Sequence, residues 1–148
     1  MPSIVPSYVY VLFALVIVGT IIIGACGVSI LEIKNNADKQ QLSNIAEYVT
    51  AQSNKMILQA TRDNANSTVY LNLPINVGYQ KYWIQIENDT SKAWVTAGFG
   101  SIQTSSQQRT YLPADISASG VYTSYSGIAV LKCETDGSHV TLTINGEN

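Results

Sequence analysis

From Met1 to Leu31 the chain carries no Asp, Glu, Lys, Arg or His; all eight basic and ten acidic residues lie from Glu32 onward. So long a charge-free stretch excludes an ordinary water-facing surface element at this end. Histidine occurs once, as His139, and cysteine twice, as Cys26 and Cys133. One His and two distant Cys exclude a zinc cluster, and two cysteines exclude a disulfide scaffold. Both cysteines read as small buried residues. The sharper alternative is that Cys133 cross-links to a neighbouring subunit. The basic residues are scattered and the net charge is −2, which excludes the clustered Lys/Arg face of a nucleic-acid binder. No phosphate-binding glycine loop is present: Gly98 and Gly100 bracket Phe99 with no third glycine and no helix to follow. His139 beside Ser138 lacks the spacing support of a catalytic triad. We therefore expect no enzyme and no cofactor.

What is present first is Tyr8 to Leu31, almost wholly apolar, with Ser, Thr, Tyr and Gly as the only relief. At about 1.5 Å per residue such a helix reaches roughly 36 Å, enough to cross a hydrocarbon core of about 30 Å. Lipid offers no partner to exposed backbone groups, so a single crossing segment must be helical. A cleaved secretory signal is the rival. It is disfavoured by the length of the run, the absence of a preceding Lys or Arg, and the lack of an A-x-A pause after it. Pro2 and Pro6 stand where a helix start tolerates proline. Small residues along the run (Ala14, Gly19, Gly24, Ala25, Gly27 and Ser29) mark candidate positions for close helix packing.

Glu32 to Arg62 contains neither glycine nor proline. Apolar residues recur at Ile33, Leu42, Ile45, Val49, Met56 and Ala60, a helical stripe from Leu42 on. The anchor is thus expected to continue as an amphipathic helix, with Asn35-Asn36 as its weak point. From Ser67 the period changes to two. Strands are expected at 68–73, 82–86, 93–96, 110–112, 121–125, 128–133 and 140–144. The turn between the last two falls at Asp136-Gly137. Gly100 to Thr110, rich in Ser and Gln, reads as a polar loop. Tyr82, Trp83 and Trp94 read as core and cross-strand partners more than as a binding patch.

The expected fold is α+β. A long N-terminal helix, apolar then amphipathic, packs on a small antiparallel β-sandwich-like head or a strongly curved sheet. The divisions are 1–31 (membrane or filament core), 32–62 (amphipathic continuation) and 63–148 (head). Lys34 and Lys39 follow the apolar run and no basic residue precedes it, which alone would place the head inside. Against that count stand two glycosylation acceptors, Asn66-Ser-Thr68 and Asn88-Asp-Thr90, in a head poor in charge and rich in Ser, Thr and Tyr. The head is expected outside the cytoplasm, with Asn66 and Asn88 as candidate glycan sites.

This layout resembles that of archaeal type IV pilin-like and archaellin-like proteins. The matching parts are Tyr8–Leu31, Ile33–Ala60 and the strands from Thr68 onward. Tyr70-Leu-Asn-Leu-Pro74, Tyr82-Trp-Ile-Gln-Ile86 and Leu112-Pro113 also resemble such heads. The resemblance implies a filament whose core is the apolar helix, with a β-rich, often glycosylated head. It also implies copies of this chain or related pilin-like subunits as partners. Met1–Ser7 departs from the family's processing site in having no Lys, Arg, Gly or Ala. An unprocessed membrane-bound relative or a minor subunit is the corresponding expectation. The alternative is a single-pass membrane anchor in lipid whose head binds a surface glycan or surface-layer protein.

Overall fold

The computed structural model describes residues 5–102, 108–113 and 115–147. The side chains of residues 5–7, Cys26 and Val28 lie outside that description, as do Pro2 and much of the polar loop expected between Gly100 and Thr110. The element order is α1 (Val5–Asp63), β1 (Ser67–Leu71), β2 (Tyr82–Asn88), β3 (Ala93–Phe99), β4 (Thr110–Tyr111), β5 (Ile116–Thr123), β6 (Ile128–Thr135) and β7 (Val140–Glu147). The chain divides into two compact units, residues 1–37 and residues 38–148.

The first unit is helical from Val5. Its side chains face outward: Phe13, Leu15, Ile21, Ile23 and Leu31 are all more than 60 % exposed. Ile33 is exposed with them, so the buried stripe does not begin there. The helix is long and apolar enough to cross a membrane. The expected weak point, Asn35-Asn36, lies within α1. Two hydroxyls of this unit, those of Thr20 and Ser29, are satisfied inside the helix. Thr20 Oγ1 donates to the Val16 carbonyl (2.7 Å) and Ser29 Oγ to that of Ala25 (3.1 Å). Neither therefore brings an unpaired polar group into an apolar surround.

In the second unit the helix from Asp38 onward packs on a seven-stranded sheet. Its buried residues are Leu42, Ile45, Ala46, Val49, Thr50, Ser53, Met56, Ile57 and Ala60. They recur at three and four, so one face is continuously covered. Ser53 fills the gap the apolar pattern leaves between Val49 and Met56. It is fully buried, and its Oγ donates to the Val49 carbonyl at 2.8 Å, which removes the cost of burying a hydroxyl. Thr50 does the same toward Ala46 (2.8 Å). The helix ends at Asp63, with Arg62 in its last turn and Asn64 in the left-handed region (φ 49°) just beyond.

The strands make one sheet in the order β1-β6-β7-β5-β2-β3-β4. All pairs are antiparallel except β5 with β7. The helix occupies the place a second sheet would take in a sandwich. The sheet's inner face contributes Ile84, Ile86, Val95, Ala118, Leu131, Leu142 and Ile144 to the core cluster that includes the helix stripe. Tyr82 and Tyr122 meet there edge to face, centroids 6.5 Å apart. The Tyr82 hydroxyl donates to the Pro74 carbonyl at 2.7 Å. Burial, and then the neighbouring Tyr122, push the Tyr82 phenol above its ordinary value. Cys133 is in the same core and fully buried, and burial raises its thiol as well. Its sulfur is thus not at a surface where a neighbour's thiol would reach it. The cross-linking alternative is excluded and the buried reading holds for Cys133; the Cys26 side chain lies outside the described residues.

The β6–β7 connection is tied by Asp136. Its carboxylate accepts the His139 N–H (2.8 Å), the Ser138 N–H (3.0 Å) and the Ser138 hydroxyl (3.0 Å). Those bonds, the backbone bond from His139 foremost, lower its pKa to about 2. A depressed carboxylate stabilises the turn in full above its unfolded pKa of about 4 and loses that contribution as pH falls through the folded value. Side-chain carboxyl NMR should therefore place the Asp136 midpoint near 2, with the Ser138 and His139 amide signals moving at that same midpoint. A midpoint in the ordinary Asp range would contradict the turn geometry.

Candidate functional site

The glycines of the apolar helix have no intramolecular purpose. A Cβ built on Gly19, Gly24 or Gly27 meets nothing within 4 Å, and none of the three has a positive φ. Each nonetheless costs a helix about 1 kcal/mol relative to alanine in water. At about 100° of rotation per residue, the six small residues divide between two faces. Gly19, Gly24 and Gly27 occupy one arc of about 140°. Ala14, Ala25 and Ser29 occupy an arc of about 60° centred on the opposite side. The candidate packing positions Ala14, Gly19, Gly24, Ala25, Gly27 and Ser29 thus fall on two faces. Gly24 and Ser29 belong to different faces, although both lie in the same short segment.

The two acceptor asparagines are both exposed. Asn66 lies between α1 and β1, where its Oδ1 accepts the Thr135 N–H at 2.9 Å. Asn88 closes β2, and the connection to β3 is pinned by the Asp89 N–H on the Lys92 carbonyl (2.7 Å). Thr90 is oriented by Asp89, whose Oδ1 accepts both the Thr90 N–H (2.6 Å) and its hydroxyl (3.3 Å). The Asn88 Nδ2 donates to the Asp89 carbonyl at 3.5 Å.

The aromatic residues separate by face. Tyr82 is inner core, as above. Trp83 is on the opposite face yet only 1 % exposed, and its Nε1 has no hydrogen-bond partner. Trp94 is half-buried, edge to face with Tyr111 (6.4 Å), and the Arg109 guanidinium lies 4.4 Å from its ring centroid. Cation–π contact and cross-strand packing account for Trp94 and Tyr111. The sequence pattern missed one concavity of the head. It is an apolar groove of about 670 Å³ lined by Tyr70, Leu73, Ile75, Tyr125 and Ile128, with Lys81 at its edge. Period-two reading places single exposed aromatics without showing that they converge.

Among the described residues no group of three or more His, Cys, Asp or Glu side chains is placed to hold a metal ion. His139 takes part in the β6–β7 turn through its backbone. Comparison of the chain with protein-family models, with curated proteins and with solved structures finds no match.

Proposed function

We propose that this chain is a structural subunit of a pilus-like cell-surface filament or of its assembly complex, held by packing of its apolar helix against copies of itself or related pilin-like subunits. The observation that carries the reading is the set of three helix glycines with no neighbour in their own chain. Small residues let helices approach closely in an apolar medium, where packing rather than the hydrophobic effect drives association. Two opposed small-residue faces fit a helix that meets a different neighbour on each side. Such heterologous contacts extend, whereas a single self-complementary face closes a dimer. The layout resemblance to archaeal type IV pilin-like proteins supports the same reading, with the head outside the cytoplasm and no catalytic role.

The test is disulfide scanning of the full chain in native membranes, in a Cys26→Ala background. Gly24→Cys with Ser29→Cys should give a ladder reaching beyond dimers, while either substitution alone should give almost none. A chain that stays monomeric with both thiols sinks the proposal. Dimers from Gly24→Cys alone would replace it with a closed pair.

A second reading, a single-pass anchor presenting a binding head, is favoured by the apolar groove. Four of its lining side chains, Tyr70, Ile75, Tyr125 and Ile128, are more than half exposed. A head that binds a surface glycan or surface-layer protein through that groove would lose binding on Tyr125→Ser, with the disulfide ladder absent.

A further inference from the structure

The head has two unlike ends. Tyr82, where β2 begins, pairs with Phe99, and that end of β3 lies beside Lys39, Leu42 and Ala46 of α1. Gly78, between β1 and β2, sits on Asp38: a Cβ there would be 2.5 Å from the carboxylate. Thr123 pairs with Trp83, and the Ser124 N–H donates to the Tyr82 carbonyl at 3.0 Å. The start of the head's helix, the connection before β2 and the turn after β5 thus share one end of the sheet. The apolar groove of Tyr70, Ile75, Tyr125 and Ile128 opens there, with Lys81 at its edge. At the other end Asn64, just past the helix, accepts the Thr135 hydroxyl at 3.4 Å.

Charge divides the same way. Asp63, Glu87, Asp89, Asp115, Glu134 and Asp136 lie toward the Asn64 end, against Arg62 and Lys92. At the Asp38 end Lys39 and Lys81 balance Asp38 and Glu147, the last paired with Ile128. The apolar run is joined to this second end. Leu31 precedes Asp38 by seven positions of continuous helix. Seven residues rise about 10 Å, and the headgroup layer extends about 5–7 Å beyond the hydrocarbon core. The groove therefore stands at the level of the headgroups when the run is in lipid. Its chemistry suits that layer: tyrosine rings with an apolar body and a polar tip, an isoleucine on each side, and a lysine whose stem can lie on apolar surface. The carboxylate-rich end is the one held away from lipid phosphate.

We propose that the Asp38 end of the head docks on the membrane that α1 crosses, with Tyr70, Ile75, Tyr125 and Ile128 seated among the lipid headgroups and Lys81 beside lipid phosphate. This rests on the apolar helix crossing a membrane but not on filament assembly. Lipid in the groove leaves no room there for a surface-layer protein while the chain is membrane-bound.

The test uses the full chain with Cys26→Ala, reconstituted at low protein-to-lipid ratio in phosphatidylcholine vesicles. Cys133 is fully buried and stays unlabelled. A nitrobenzoxadiazole label is placed on Ile75→Cys, on Tyr125→Cys or, as the far-end reference, on exposed Asn88→Cys. Headgroup-spin-labelled lipid should quench the labels at 75 and 125 strongly and the one at 88 hardly, and iodide in the water should do the reverse. Adding Tyr70→Ser and Ile75→Ser to Tyr125→Cys should bring its lipid quenching down toward the Asn88 level. Unchanged quenching in that variant would mean that the tether alone sets the depth, and overturns the proposal. Equal quenching at 75, 125 and 88 overturns it too. Labels shielded from iodide yet not quenched by lipid would assign the groove to a neighbouring head or another protein, and overturn it equally. A label on Ile21→Cys reads the span separately. If it is quenched by acyl-chain-labelled lipid while 75 and 125 stay in water, only the docking fails; if it is not, the membrane reading fails and takes the docking with it.

Discussion

A chain beginning at Asp38 should leave the membrane fraction completely and remain folded in water. Among the described residues every buried apolar side chain, from Leu42 to Ile144, lies within residues 38–148, so the truncation removes none of that core. What it does remove is a helix whose large apolar side chains, among them Phe13, Leu15, Ile21 and Ile23, are exposed. Each such side chain is worth about 1.5–3 kcal/mol when taken out of water. Lipid, detergent or neighbouring helices would remove that surface from water. The remaining helix retains the whole stripe from Leu42 to Ala60. Alkaline extraction of membranes followed by circular dichroism of the soluble fraction checks both halves of the expectation. A truncated chain that still pellets with membranes would show a second attachment. One that is soluble but unfolded would show that residues 1–37 are needed to hold the sheet.

The largest single-residue effect should come from Gly120→Ala. Gly120 has φ +123°, a region that L-residues rarely adopt. It is also the crossing point of the sheet, opposite Ile86 on β2 and Ile144 on β7. A Cβ there would drive into the Ile144 carbonyl oxygen and lie 2.9 Å from the Ile144 nitrogen. Both obstacles are backbone of a central strand, so neither gives way cheaply. Backbone strain of about 1–3 kcal/mol and overpacking of about 1–3 kcal/mol together predict a loss of about 2–6 kcal/mol, centred near about 4. For a domain of this size that lowers the unfolding midpoint by well over ten degrees, about 4–8 °C per kcal/mol. Gly100→Ala is the matched control. Gly100 has φ +72° but open space around its Cβ, so only the strain of about 1 kcal/mol remains. Thermal unfolding of the two variants beside the parent chain decides it; equal losses would mean that the close approach to Ile144 is relieved by a shift of β7.

Much of this was legible beforehand. The helix stripe at Leu42, Ile45, Val49, Met56 and Ala60 is buried as expected, and all seven strands lie where period-two segments were read. The helix extends one residue past Arg62. The chief local error is the start of β5, expected at Val121 and found at Ile116. Ile116-Ser-Ala-Ser-Gly120 does alternate, but its residues are too small and polar to register as a strand. It is extended because β7 pairs with it in parallel, a contact more than twenty residues away. Ser53 is not part of the apolar stripe that the sequence shows, because a hydroxyl does not register as a core group. Only its bond to the Val49 carbonyl makes it a core residue. Trp83 was grouped with Tyr82, but alternation puts it on the other face of the sheet, where neighbours along the strand cannot show what covers it.

Helix and strand identity, the uncharged apolar opening and the acceptor asparagines are thus properties of the chain read residue by residue. They arise from side-chain period and chemistry over windows of a few residues. The strand order, the single parallel pair, the choice of one sheet against the helix over a two-sheet sandwich, and the apolar groove of Tyr70, Ile75, Tyr125 and Ile128 came from pairings between distant segments. Those pairings depend on which edges find partners once the core has formed, and no local window contains both sides of such a choice.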